Sequence, residues 1–280
     1  MNTEIIESLP RFIETLGMDE SPMGIYYTDE PPLEGATPKP GDLPTREREI
    51  DNLIDWQAVF GGFSCVIGHI WRARKRQVPA FFDAGHFGCP GGAFFLGFMK
   101  PQTETMIHYV SSGIPDRMKG ELYCKSPDAL RRIFDEIDPP PAPKRFCVVK
   151  SLDLFKDEER PDVVAFFSRP ESLSGLHQLA AFVTNDTQVV KSPWGAGCTG
   201  LITWPFKFLR EGRKKAVLGG WDPSARKFYK TDELTFTVPF EMFQEMLACF
   251  DSSFLTTKTW EIVQKKIARS RRVWGEEQAS

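Results

Sequence analysis

Apolar residues recur along this chain at two spacings, one typical of helices and the other of strands. Between Ile5 and Leu16 they fall on one side of a 3.6-residue repeat, which predicts an amphipathic helix that Pro10 delays or kinks. The same spacing predicts further helices over 54–60, 66–76, 171–183, 240–250 and 260–273.

Short runs rich in Val, Phe and Tyr predict buried strands. They cover 23–27, 145–152, 162–167 and 235–238. The intervening segment 29–49 combines several prolines with many charges, and we expect a surface loop there.

One helix start and one linker divide the chain. Ser126 followed by Pro127 is typical of a helix N-cap and first turn, and the proline-rich segment 138–143 ends that helix. We therefore predict an N-terminal half over 1–138 and a C-terminal half over 144–280, packed as one compact unit. The expected fold class is α+β, with two loosely related halves, mixed β-sheets and flanking helices.

The two halves resemble each other around a cysteine. Cys65 and Cys198 each end a G-x-x-C sequence and are each followed six residues later by a tryptophan, Trp71 and Trp204. If this reflects a duplication, the two cysteines face each other across a pseudo-twofold axis and the site lies between the halves. The identities are few, so a chance similarity is the alternative.

Composition narrows the classes of function. The 280 residues carry a net charge of −3, which gives no electrostatic footprint for nucleic acid. No apolar segment reaches the roughly 18 residues of a membrane span. The acidic N-terminus lacks the features of an export signal, so six cysteines favour a reducing cytoplasm.

Three cysteines stand beside glycines that shape the backbone. Cys89 lies in the sequence HFGCPGG, and Cys65 and Cys198 follow the G-x-x pattern. Soft thiolates suit iron–sulfur clusters, zinc or Cu(I), and three thiolates on a [4Fe–4S] cluster leave one iron open. The predicted metal ligands are Cys65, Cys89, Cys198 and His86, with Gly91 and Gly197 offering backbone N–H groups.

Other interpretations of these residues stay open. No C-x2-C pair is present, and reduced cysteines commonly pack as small hydrophobes. Cys89 beside His86 is a candidate for nucleophilic catalysis. A third possibility is a non-enzymatic binder of a flat apolar ligand, using the tryptophans near the cysteines: Trp71, Trp194, Trp204 and Trp221.

The remaining three cysteines carry different expectations. Cys147 lies within an apolar strand and Cys249 on the apolar face of a helix, so both are predicted to be core residues. Cys124 follows Tyr123 at the entry to a helix, and its sequence context does not decide its role.

Three features together form a characteristic order along the chain: the cysteine segments, the strand over 162–167 with Pro170, and the Cys89-Pro90-Gly91-Gly92 loop. In this order they resemble the family known as domain of unknown function 169. The similarity extends from about Met23 to Met246. It implies cytoplasmic proteins common in anaerobic bacteria and archaea, with recurring cysteines and no settled activity.

The recurring cysteines of the family map onto Cys65, Cys89 and Cys198. Where a fourth is expected, after Arg213, this chain has Gly220-Trp221-Asp222. Together these features predict an iron–sulfur, or other thiolate-metal, protein of anaerobic metabolism that is redox-active or converts a small molecule. We expect a small-molecule substrate or a redox partner, and a homo-oligomer is a further expectation.

Overall fold

A computed structural model describes residues 3–40, 64–100, 104–156 and 158–274. The helices over these ranges are α1 (Thr3–Leu16), α2 (Val66–Arg76), α3 (Pro90–Phe95), α4 (Glu104–Val110), α5 (Pro127–Ile137), α6 (Pro170–Thr184), α7 (Trp204–Arg210), α8 (Phe240–Cys249) and α9 (Lys258–Trp274). The strands are β1 (Met23–Thr28), β2 (Ala80–Phe82), β3 (Gly113–Ile114), β4 (Met118–Lys119), β5 (Phe146–Ser151), β6 (Val163–Ser168), β7 (Val190–Lys191), β8 (Ala216–Gly219) and β9 (Leu234–Pro239).

A mixed sheet of seven strands is the centre of the molecule. Its order is β2-β5-β1-β6-β9-β8-β7, while β3 and β4 pair separately as a small hairpin. Neighbouring strands are antiparallel except for β7 and β8, which are parallel. In the pairing of β1 with β5, Met23 lies opposite Ser151 and Thr28 opposite Phe146.

The central strand β6 is apolar because both of its faces are covered. Side chains alternate along a strand, so Val163 and Phe167 enter one core cluster while Val164 and Phe166 enter the other. The first cluster contains residues of α2, α3, α4, α5 and α7, and the second contains residues of α1, α6 and α8. This continuous burial explains a strand sequence without polar alternation.

The α+β fold class is confirmed, and several local predictions agree with the structure. Ser126 caps α5, with its hydroxyl accepting a hydrogen bond from the Ala129 N–H at 3.2 Å. Helix α1 runs through Pro10 without ending there. Cys147 is fully buried as expected, whereas Cys249 is only half-buried.

Some predictions lie outside what the structure covers or are not tested by it. The predicted helix over 54–60 and the loop beyond residue 40 fall outside the described residues. The halves 1–138 and 144–280 contribute strands to the same sheet, with β1 beside β6, and the proposed division and duplication stay predictions. Across the described ranges, no helix combines the length and apolar character that crossing a membrane requires.

A close backbone contact places the segment after Cys198 directly on the sheet. Residues Thr199–Thr203 form a single stretch of π-helix, a conformation often associated with functional sites. A Cβ atom on Gly200 would lie 3.1 Å from the Gly219 Cα, which is a tight contact, so a glycine favours this approach to β8. The Thr203 hydroxyl then donates a hydrogen bond to the Phe95 carbonyl at 2.8 Å, which joins the segment to the end of α3.

Candidate functional site

A cavity of about 600 Å³ opens beside the π-helical segment. Its walls come from the starts of α2 and α3, from α4 and α5, and from the segments 192–200 and 219–224. This volume lies within the range of pockets that hold small organic ligands.

Aromatic side chains surround the mouth of this cavity. Trp221 is 56% exposed, Trp194 is 45% exposed and Tyr123 is 38% exposed, and all three line the pocket. The Trp221 Nε1–H donates to the Ser192 hydroxyl at 2.9 Å, which orients that ring. Large apolar rings left in water beside a cavity are typical of a binding site.

Two of the three predicted cysteines line the cavity. Cys65 precedes α2 and Cys89 precedes α3, and both are partly buried. The Cys89 Sγ accepts a hydrogen bond from the Gly92 N–H at 3.2 Å, so it caps the helix. Cys198 is buried, and its neighbour Gly197 lines the cavity, as does Gly91 beside Cys89.

The thiols are held in their neutral form. Burial, followed by the nearby Cys65, raises the pKa of Cys89 to about 12. Burial also raises the pKa of Cys65, and it raises that of Cys198 well above the ordinary value, with contributions from Cys89 and Cys65. The three sulfur atoms therefore lie within electrostatic range of one another but are not thiolates at neutral pH.

His86 pairs with Asp83. Its Nδ1 lies 3.0 Å from the Asp83 Oδ1 within the same turn, and the residue does not line the cavity. Among the described residues no hydrogen bond joins His86 to Cys89. The alternative of a Cys89 nucleophile activated by His86 therefore has no geometric support, and the raised pKa of Cys89 opposes it as well.

The prediction of an iron–sulfur or other thiolate-metal protein is wrong. Within the part of the chain that the structure describes, no group of three or more His, Cys, Asp or Glu side chains is arranged to hold a metal ion. The physical reason lies in the side chains themselves: His86 pairs with Asp83, and the Cys89 sulfur caps α3. Proximity of three thiols is not sufficient for a coordination site.

Two carboxylates border the cavity, those of Asp222 and Glu121. Asp222 Oδ2 accepts a hydrogen bond from the Gly197 N–H at 2.8 Å, and Oδ1 accepts from the Ser224 N–H and hydroxyl. Glu121 accepts a hydrogen bond from the Tyr109 hydroxyl. Burial raises the pKa of Glu121, the Tyr109 hydrogen bond opposes this, and the charge of Asp222 adds to it.

A serine–histidine contact beside Cys65 also escaped the sequence analysis. The His69 Nε2 lies 2.9 Å from the Ser64 Oγ, and Ser64 lines the cavity. Burial, followed by the charge of Arg72, lowers the pKa of His69 to about 4, so its imidazole is neutral. The five-residue separation carries no signal of its own, because His69 becomes a neighbour of Ser64 only once α2 has formed.

The tryptophans divide into two groups. Trp194 and Trp221 line the cavity, whereas Trp71 packs near Phe228 and Trp204 packs near Phe208. The Trp204 Nε1–H donates to the Trp194 carbonyl at 3.4 Å. Trp204 therefore contacts the backbone of the cavity wall and does not itself line the cavity.

Comparison with known proteins gives one match. A family model described as DUF169, Uncharacterised ArCR, covers residues 11–248, which include every part of the cavity wall. Neither a curated protein nor a solved structure matches the chain. The order of the cysteine segments, the fold built on them and the extent of this match lead to one conclusion: the chain belongs to the DUF169 family.

Proposed function

We propose that this chain binds a small organic molecule with a flat apolar part in the cavity beside Cys65 and Cys89. The observation that carries the proposal is the position of Trp221, Trp194 and Tyr123, which are exposed and line the same cavity. A ligand inserted between these rings removes apolar surface from water without any rearrangement of the core.

The interior of the cavity supports the same conclusion. Its deeper wall is formed by Phe95, Met106 and Phe134, which belong to three different helices. The neutral thiols of Cys65 and Cys89 add polarisable apolar surface. Most of the wall area is apolar, as is usual in a small-molecule site.

Binding of a neutral, flat fluorescent probe tests this proposal. We expect 6-propionyl-2-dimethylaminonaphthalene to show saturable, blue-shifted emission with the full chain. Trp221→Ala removes one face of the site, and we expect about tenfold weaker binding, equivalent to about 1.4 kcal/mol. The matched control is Trp274→Ala, because Trp274 is 77% exposed and lies outside the cavity.

The outcomes separate clearly. An affinity that changes less than twofold in Trp274→Ala and about tenfold in Trp221→Ala supports the cavity as the binding site. Emission that does not saturate, or that is equally affected by both substitutions, contradicts the proposal. Circular dichroism of each variant confirms that the fold is retained.

A further inference from the structure

The charges on the wall of the cavity do not balance. Glu121 and Asp222 contribute carboxylates, and Lys227 contributes the one ammonium group found in the described lining. Within the described ranges neither carboxylate takes part in an ion pair. From the described residues, Asp222 receives hydrogen bonds from the neutral donors of Gly197 and Ser224, and Glu121 receives one from Tyr109.

The two carboxylates also act on each other. The charge of Asp222 is one of the causes that raise the pKa of Glu121, and it raises the pKa of Tyr123 too. Two like charges that share a partly buried site repel, and a positive group between them removes that cost.

The aromatic rings at the same mouth suit a positive charge. Tryptophan binds cations more strongly than the other aromatic side chains, and both Trp194 and Trp221 line the cavity. Tyr109 and Tyr123 line the wall near Glu121. Carboxylates together with several aromatic rings form the usual recognition site for ammonium and other organic cations.

Lys227 does not neutralise this arrangement. Its Nζ lies 5.2 Å from the centre of the Phe228 ring, and its charge lowers the pKa of Cys65. It is not among the causes that shift the pKa of Glu121. Although Lys227 lines the same cavity, its ammonium group forms no ion pair with Glu121 or Asp222 among the described residues.

A buried hydroxyl lies next to a glycine of the cavity wall. Thr235 is completely buried, and its Oγ1 has no hydrogen-bond partner in the described part of the chain. The oxygen lies 2.8 Å from the position that a Cβ on Gly219 would occupy, and Gly219 lines the cavity. A hydroxyl without a partner, which can donate or accept a hydrogen bond, therefore lies beside one residue of the cavity wall.

From these contacts we infer that the ligand of this cavity is a flat organic cation, held between the carboxylates of Glu121 and Asp222 and the rings of Trp194 and Trp221. This inference rests on the proposed function, because it names the class of molecule that the same cavity binds. The neutral thiols and the apolar side chains hold the flat part, and the carboxylates select the charge.

Two isosteric molecules that differ in charge test the inference. Equilibrium dialysis of the full chain compares 1-methylquinolinium with 1-methylnaphthalene, which has the same shape without the charge. We expect the cation to bind at least tenfold more tightly. We expect Glu121→Gln to reduce this preference to threefold or less while leaving the affinity for 1-methylnaphthalene unchanged, which also shows that the cavity is intact.

The controls use other charges of the chain. Glu261→Gln removes an exposed carboxylate of α9 outside the cavity and is expected to leave the preference unchanged. Lys227→Gln removes the opposing charge and is expected to increase the affinity for the cation. A third ligand, 1-naphthoate, tests the opposite sign of charge and is expected to bind most weakly.

Each result decides between defined alternatives. Equal affinities for 1-methylquinolinium and 1-methylnaphthalene overturn the inference of a cation but leave the proposed function standing. Tightest binding of 1-naphthoate, lost in Lys227→Gln, also overturns it and identifies an anion site. If none of the three molecules binds, both the inference and the proposed function fail.

Discussion

At the scale of single residues, the guanidinium of Arg74 is held by two carboxylates and an aromatic ring. Its Nη1 donates to the Glu233 Oε2 at 3.0 Å and its Nη2 to the Glu233 Oε1 at 2.6 Å, while Glu20 accepts a further hydrogen bond. The side chains of Arg74 and Glu233 are 7% and 3% exposed. The guanidinium carbon also lies 3.8 Å from the centre of the Phe167 ring. This pair connects α2 to the residue preceding β9.

Removing one partner of this pair leaves an uncompensated buried charge. We expect Arg74→Met to lower the free energy of unfolding by about 3–5 kcal/mol, because Glu233 is then buried without its partner. Urea denaturation measures the change. Arg72→Met is the matched control on the exposed side of the same helix, and we expect it to change stability by less than about 0.5 kcal/mol. Equal effects of the two substitutions would contradict the structural role given to Arg74.

At the scale of secondary-structure elements, the position of Cys89 depends on one glycine. Gly88 has a φ of +82°, and a Cβ at this residue would lie 2.7 Å from the Ser64 carbonyl oxygen and 3.3 Å from the Val66 nitrogen. The turn before α3 therefore lies directly against the start of α2. This contact sets the distance between the elements that carry Cys65 and Cys89.

Substitution of this glycine tests the contact. We expect Gly88→Ala to destabilise the fold by at least about 1–2 kcal/mol, since the left-handed conformation alone costs an alanine this amount and the contact with Ser64 adds to it. Gly85→Ala is the control in the same loop. The φ of Gly85 is not in the left-handed region, and a Cβ at this residue would lie 3.4 Å from the nearest atom, the Asp83 Oδ1. Thermal denaturation of both variants distinguishes a strained position from general sensitivity of the loop.

Elements with a long and regular pattern were predictable from the sequence, and the short ones at the site were not. The continuous apolar run of β6 and the cap of α5 follow from local residue types. Helix α3 has only six residues, two of them glycines, and the segment Thr199–Thr203 is π-helical. Neither has enough length for a repeat to appear, and both are fixed by tertiary contacts such as that between Gly200 and Gly219.

At the scale of the whole molecule, the site is assembled from segments that are far apart in the chain. Two of the glycine-flanked cysteines, Cys65 and Cys89, precede α2 and α3 and line the cavity, whereas Glu121 lies after the small hairpin and carries no recognisable motif. Its importance arises from its position near Asp222, which only the fold establishes. The cysteine pattern led to a wrong prediction of thiolate-metal chemistry, because spacing does not specify which groups face the thiols.

The same burial of thiols affects the stability of the whole molecule at alkaline pH. Burial raises the pKa of Cys65, Cys89, Cys147 and Cys198 in the folded chain, that of Cys89 to about 12. In the unfolded chain these thiols have a pKa of about 8.5. Above this pH the unfolded chain therefore holds fewer protons than the folded chain, and unfolding is favoured as the pH rises. This contribution to stability is complete below about pH 8 and is lost progressively toward the folded pKa values.

We therefore expect the free energy of unfolding to decrease steeply between pH 8.5 and 10.5, with each of the four thiols contributing at most about 1.4 kcal/mol per pH unit. Urea denaturation under reducing conditions at several pH values measures the slope. Cys147→Ala removes one of the four thiols, so the free energy of unfolding of this variant decreases less steeply with pH, by up to about 1.4 kcal/mol per pH unit. The substitution also lowers stability at pH 7, but this does not affect the slope. Ser112→Ala, at an exposed position, retains the slope of the unmodified chain. A slope that is flat, or identical in Cys147→Ala, would show that the thiols ionise as readily in the folded chain as in the unfolded one.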